Sequence, residues 1–102
     1  MNQEGPVTVA VRHRVRPGRE AEFEAWLKGI SREAMAFEGH QGYHVVRPAD
    51  TGRHEYLVFL RFDSFANLER WEASEVRRQW LEQAEPLTLH APAREHYTGM
   101  KV

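Results

Sequence analysis

The chain has 102 residues, 14 Lys and Arg against 15 Asp and Glu, no Cys, and a formal net charge of -1. A chain of this length is expected to form one domain, 1–102, with a modest core that association with a second copy would enlarge. Interleaved charges exclude the basic stripe of a nucleic-acid binder, and the lack of cysteine excludes disulfides, thiolate metal sites and a cysteine nucleophile.

Met1-Asn2-Gln3-Glu4-Gly5-Pro6 has neither a basic n-region nor an apolar h-region, and no apolar run reaches the ~20 residues of a membrane span. The expected location is therefore the cytoplasm. Val7 to Val15 alternates as a half-buried strand, with Val7, Val9, Val11, His13 and Val15 on one face and Thr8, Ala10, Arg12 and Arg14 on the other. Pro17-Gly18 turns the chain. From Arg19 to about Phe37, apolar residues recur at helical spacing: Phe23, Trp26/Leu27, Ile30, Ala34 and Phe37. Gly29 lies inside that helix at a cost of about 1 kcal/mol relative to Ala, which points to close packing or a bend. Glu38 to Gly42 ends the helix.

Tyr43 to Arg47 reads as a short second strand, Pro48 to Arg53 as a turn, and Glu55 to Phe62 as a third strand that is apolar on both faces. Ser64 is placed to cap a short helix carrying Phe65, Leu68 and Trp71, and Ser74 to cap a second from Glu75 to about Ala84. Pro86 closes that segment, Leu87 to Pro92 is irregular, and Ala93 to Met100 forms a last strand. The order is β-α-β-β-α-β with the second helix split. That is an α+β, ferredoxin-like arrangement, an antiparallel sheet with helices on one face. The apolar outer face of the third strand needs cover. A second copy supplies it most economically, so a homodimer of the dimeric α/β-barrel type is expected, its sheets packed face to face.

Five segments in this order resemble the antibiotic biosynthesis monooxygenase (ABM) domain family. They are Val15-Arg16-Pro17-Gly18-Arg19-Glu20-Ala21-Glu22-Phe23-Glu24-Ala25-Trp26, the turn Gly39-His40-Gln41-Gly42-Tyr43, Tyr56-Leu57-Val58-Phe59-Leu60-Arg61-Phe62-Asp63-Ser64-Phe65, Leu68-Glu69-Arg70-Trp71-Glu72-Ala73-Ser74, and Trp80-Leu81-Glu82-Gln83-Ala84-Glu85-Pro86-Leu87. The likeness is to the soluble domain of a branch whose longer members carry a Thr-Gly-hydrophobic segment and then C-terminal transmembrane helices. Thr98-Gly99-Met100 is present here, and the sequence stops at Val102. The resemblance implies the ferredoxin-like fold. For function it implies a range: cofactor-independent oxygenation of aromatic phenols and anthrones, haem degradation, action on autoinducers or quinols, or no catalysis.

The haem-degrading branch uses an Asn on the first strand, a Trp at the end of the short helix, and a His ten residues further on. Trp71 matches; the other two positions fall at Val11 and Leu81, so the axial ligand is missing. No cofactor is therefore expected, and no metal either, because the turn around His40 and His44 lacks the carboxylates and the geometry to complete a site.

A cofactor-free oxygenase needs a base to form a phenolate or carbanion and polar groups to hold the charge. His13 is one candidate base, sharing its face with four valines; the alternative is a strand-end histidine near the surface. His44, on the second strand, is the other. Tyr43 is a candidate hydrogen-bond donor. The resemblance places Trp71 at the cavity, and Phe37, Phe59 and Phe65 are candidate walls for a flat ligand, or simply core. His54 reads as solvent-exposed in the hairpin, His90 and His96 as solvated or at a dimer edge, Arg61 as paired with Glu55 or Asp63, and Arg77-Arg78 as a solvated helix face. The expected function is a cofactor-independent monooxygenase acting on a small aromatic or quinol-like substrate. The alternative is a non-catalytic dimeric module that binds a small apolar ligand.

Overall fold

The computed structural model describes residues 5–47, 49 and 54–99. Apart from Ala49, the turn expected over 48–53 lies outside them, as do the first four residues and the expected strand end at Met100. The elements are β1 (Val7–Arg14), α1 (Glu20–Met35), β2 (His40–Val46), β3 (Glu55–Phe62), α2 (Phe65–Glu72), α3 (Glu75–Ala84), a short 3-10 turn (Glu85–Leu87) and β4 (Ala93–Thr98). The strands form one sheet in the order β2-β3-β1-β4, with every neighbouring pair antiparallel. This is the expected ferredoxin-like arrangement with the second helix split.

Period-two alternation decides what the sheet buries. Val7, Val9, His13 and Val15 from the first strand face inward with Tyr56, Val58, Leu60 and Phe62 from β3. They meet Phe23, Trp26, Leu27 and Ile30 of α1, and Leu68 and Trp71 of α2. The opposite face carries Thr8, Ala10, Leu57 and Phe59, only partly covered within the chain, and the exposed Val46. β2 begins three residues earlier than its apolar pattern indicates, because an irregularity between His40 and Gly42 lets the polar start of the strand pair with β3. β4 is an exposed edge strand on β1, in keeping with its polar sequence.

Two serines build the corner between the short helices. Ser64 Oγ accepts a hydrogen bond from the Asn67 amide at 3.2 Å. Ser74 does more: its Oγ accepts from the Arg77 amide at 3.1 Å and donates to the Trp71 carbonyl at 2.7 Å. The same hydroxyl thus stops α2 and starts α3, fixing the angle at which Trp71 and Arg77 approach one another.

Gly29 is where α3 seats on α1. A Cβ added there would overlap the Trp80 ring. The Trp26 indole N–H donates to the Trp80 carbonyl at 2.7 Å, which holds that ring's backbone in place. Ala is favoured over Gly by about 1 kcal/mol in a helix interior, but forcing a methyl into a packed contact costs about 1–3 kcal/mol. Gly29→Ala is therefore expected to lower the unfolding free energy in urea by up to roughly 2 kcal/mol. In a Trp80→Leu background the same change should become neutral or stabilising, a coupling that a double-mutant cycle reads directly.

Candidate active site

The inward face of β1 carries valines at every position except one. His13 stands there, 4% exposed, with its ring 5.1 Å from Phe23 and 5.6 Å from Trp26. Its Nδ1 is enclosed and has no hydrogen-bond partner among the described residues. Burial, with the nearby Arg77 guanidinium as the second cause, lowers its pKa from 6.5 to about 4. At neutral pH it is an uncharged imidazole, able to accept a proton.

Arg77 approaches from the first turn of α3. It is half-buried, and its Nη1 donates to the Glu72 carbonyl at 3.3 Å. Burial and then Arg94 push its pKa down, while Glu72 opposes them. The Glu72 carboxylate lies against β4 instead, 3.0 Å from His96 Nε2 and 3.9 Å from Arg94 Nε. Arg77 therefore carries its charge to the cavity without an ion-pair partner among the described residues. Tyr43, on β2, is half-buried, and burial pushes its phenol well above the ordinary range, so it stays a donor.

These groups converge on a cavity of about 30 Å³ between helices and sheet. Val9, Val11, Ile30, Leu60, Trp26, Trp71 and Leu81 form its apolar wall; His13, Tyr43, Glu72 and Arg77 are its polar groups. The space admits one or two water-sized molecules, whereas a cavity that takes benzene is about 150 Å³. Chemically the arrangement is a proton acceptor, a fixed cation and a phenolic donor in partly buried surroundings, where each acts more strongly than in bulk water.

The sequence profile of antibiotic biosynthesis monooxygenases matches residues 6–83. The chain belongs to the antibiotic biosynthesis monooxygenase family. None of the curated proteins matches it. Among solved structures it is similar to Rv0793 from Mycobacterium tuberculosis, with 21% identity, a TM-score of 0.81, and 96% of this chain and 98% of that one covered. It is also similar to SnoaB, a cofactor-independent oxygenase from Streptomyces nogalater, with 17% identity, a TM-score of 0.84, and 96% of each chain covered. A third is PA3566 from Pseudomonas aeruginosa, with 18% identity, a TM-score of 0.80, and 99% and 100% covered. At these identities the likeness is one of fold.

Within this ABM fold the expected site residues separate. His13, Tyr43 and Trp71 line the cavity together. His44 does not: it is exposed on the outer face, opposite Phe59, because its neighbour Tyr43 takes the inward position. Phe59 is on that outer face too. Phe37 stands one layer back, edge-on to Trp71 at 5.1 Å, and Phe65 packs against His96 at 5.5 Å. Arg77, expected on a solvated face, is the cavity's cation. Arg61 is exposed and donates to Gln41 Oε1 at 3.0 Å, while Glu55 pairs with Arg12 at 3.4 Å. His54, expected in solvent, is half-buried 2.7 Å from Glu20.

Val11, Trp71 and Leu81, the three positions matched to the haem-degrading branch, do meet in the cavity. Val11 and Leu81 offer no donor atom, so these residues do not fit haem in that branch's manner. Among the described residues no three His, Asp or Glu gather as metal ligands, and no helix is long and apolar enough to cross a membrane.

The His13 shift has a definite sign. Its folded pKa of about 4 lies below the ordinary 6.5, so the unfolded chain binds a proton first as pH falls. Its contribution to stability is complete above pH 6.5 and is lost as pH drops toward about 4. Chemical denaturation should show His13 removing roughly 3 kcal/mol across that window. A His13→Leu variant should lose that part of the acid dependence.

Proposed function

We propose that the protein is a cofactor-independent monooxygenase acting on a small aromatic or quinol-like substrate. The observation that carries this reading is the buried, uncharged His13 facing the Arg77 guanidinium in an apolar cavity. In the empty site Arg77 weakens His13 as a base. Once a substrate anion forms between them, both cations attract it, and the same geometry favours the transfer. For an anthrone-like substrate, His13 takes a proton from the methylene, Arg77 and the Tyr43 hydroxyl hold the charge, and Trp71 forms a wall. The carbanion supplies the electrons. One passes to dioxygen, the resulting radical and superoxide combine to a hydroperoxide, and loss of water leaves the ketone. One methylene and one dioxygen give one carbonyl and one water, so the balance needs no other reductant. SnoaB, with the same fold, is a cofactor-independent oxygenase, which supports the reading.

The small volume of the cavity favours a second reading, a non-catalytic module for a small ligand. Oxygen consumption against a panel of anthrones, hydroquinones and catechols in metal-free buffer separates the two. Saturable uptake with one substrate is expected. Removing the base by His13→Ala should lower it by about 10²–10⁴-fold, and Arg77→Gln by about 10²-fold or more. His44→Ala, on the outer face, should leave it unchanged. Tight binding with no uptake above the uncatalysed rate would select the binding module.

The half-covered Leu57 and Phe59 on the outer sheet face support a homodimer through that face. Phe59→Glu would place a charge at the centre of such an interface, and sedimentation should then report monomers.

A further inference from the structure

The cavity around His13 is too small for the aromatic substrate proposed above, but a second space adjoins it. A cleft of about 370 Å³ opens beyond the end of β1, between the C-terminal half of α3 and residues 88–92. That volume is in the range of small-molecule sites. His13 and Leu81 line both spaces and so form the partition between them. The two differ in freedom. His13 is 4% exposed and wedged against Phe23 and Trp26. Leu81 is half-buried, and its aliphatic side chain can turn between staggered rotamers. One stripe of α3 runs along both spaces: Arg77 lines the inner cavity, Leu81 both, and Ala84 the cleft. At about 1.5 Å per residue, Arg77 and Ala84 are about 10 Å apart along the helix, a length that a fused aromatic of three rings spans.

Resting on the oxygenase reading, we infer that Leu81 is the gate and specificity-determining residue of one continuous site, and that the substrate is a fused-ring phenol or carbon acid lying across the place of the Leu81 side chain. Its acidic end enters the inner cavity, where His13, Arg77, Tyr43 and Trp71 keep the roles given above. Its far rings rest in the cleft against Ala84, Leu89 and Pro92, and Leu89, 45% exposed in the empty protein, gains cover. The backbone under the cleft is already tied down. Val15 bridges to Thr88, the Arg16 amide donates to the Leu87 carbonyl at 2.9 Å, and the Leu89 amide donates to the Arg14 carbonyl at 2.9 Å. The moving part is therefore the Leu81 side chain. With Leu81 closed the inner cavity stays small, so substrate binds the open fraction alone and the measured affinity is lowered by that fraction.

The test is fluorescence titration of the full chain with 2-hydroxyanthracene, a three-ring phenol, under nitrogen, so that binding is read apart from turnover. Leu81→Ala removes the gate and should tighten binding by about tenfold, and Leu81→Phe, which enlarges it, should weaken binding by a similar factor. Leu89→Trp fills the cleft and Arg77→Gln removes the charge at the inner end; each should weaken binding by about tenfold or more, because one ligand reaches both. Leu89 and Arg77 lie outside the packed core, so the spanning site is tested whether or not Leu81→Ala folds. Binding that ignores both Leu81 variants, binding that responds to one of Leu89→Trp and Arg77→Gln but not the other, or no binding by either the wild-type chain or Leu81→Ala would overturn the assignment. The reading of oxygenase chemistry fails separately, through absence of oxygen uptake on any substrate while this binding pattern holds.

Discussion

His13 occupies a place on β1 where Val7, Val9 and Val15 on the same face are almost wholly buried, and its Nδ1 meets no partner among the described residues. A buried polar atom without a partner costs about 1–3 kcal/mol, which Phe23, Trp26 and Tyr56 packed around it must offset. The same burial gives the imidazole its chemistry. Kept from water and set near a guanidinium, it stays neutral far into acid and is ready to take a proton from a substrate whose anion both cations would hold.

The remaining architecture delivers Arg77 to that imidazole. Gly29 lets Trp80 lie against α1, and the Trp26 indole holds the Trp80 carbonyl, which sets the depth of α3. Ser74 joins the end of α2 to the start of α3, which sets its direction. Glu72 would neutralise Arg77, but β4 engages it through His96 and Arg94. The edge strand therefore has an electrostatic part in the site although none of its residues lines the inner cavity.

Much of this was legible in the sequence because strand alternation is a strict rule. Alternation put His13 with the valines, and capping chemistry located both short helices at Ser64 and Ser74. The same rule, applied to β2, separates Tyr43 from His44: adjacent strand residues face opposite ways, so only one of the pair can reach a cavity. Phe59 falls outside by the same count from Val58 and Leu60. Arg77 was also within reach. It lies four and seven residues before Leu81 and Ala84, on the inward stripe of α3, but its charge and the neighbouring Arg78 suggested a solvated face. Phe37 and Phe65 were not decidable this way. Their places behind Trp71 and against His96 depend on how α2 and β4 pack, which local spacing does not encode.

The most direct test of the account is an NMR titration of the His13 imidazole in the wild-type chain and in Arg77→Gln. The account predicts a neutral ring at pH 7, a midpoint near the lowered value of about 4, and an upward move of that midpoint when the Arg77 charge is removed. A His13 ring that titrates at the ordinary 6.5, unmoved by Arg77→Gln, would contradict both its burial and its coupling to the cation.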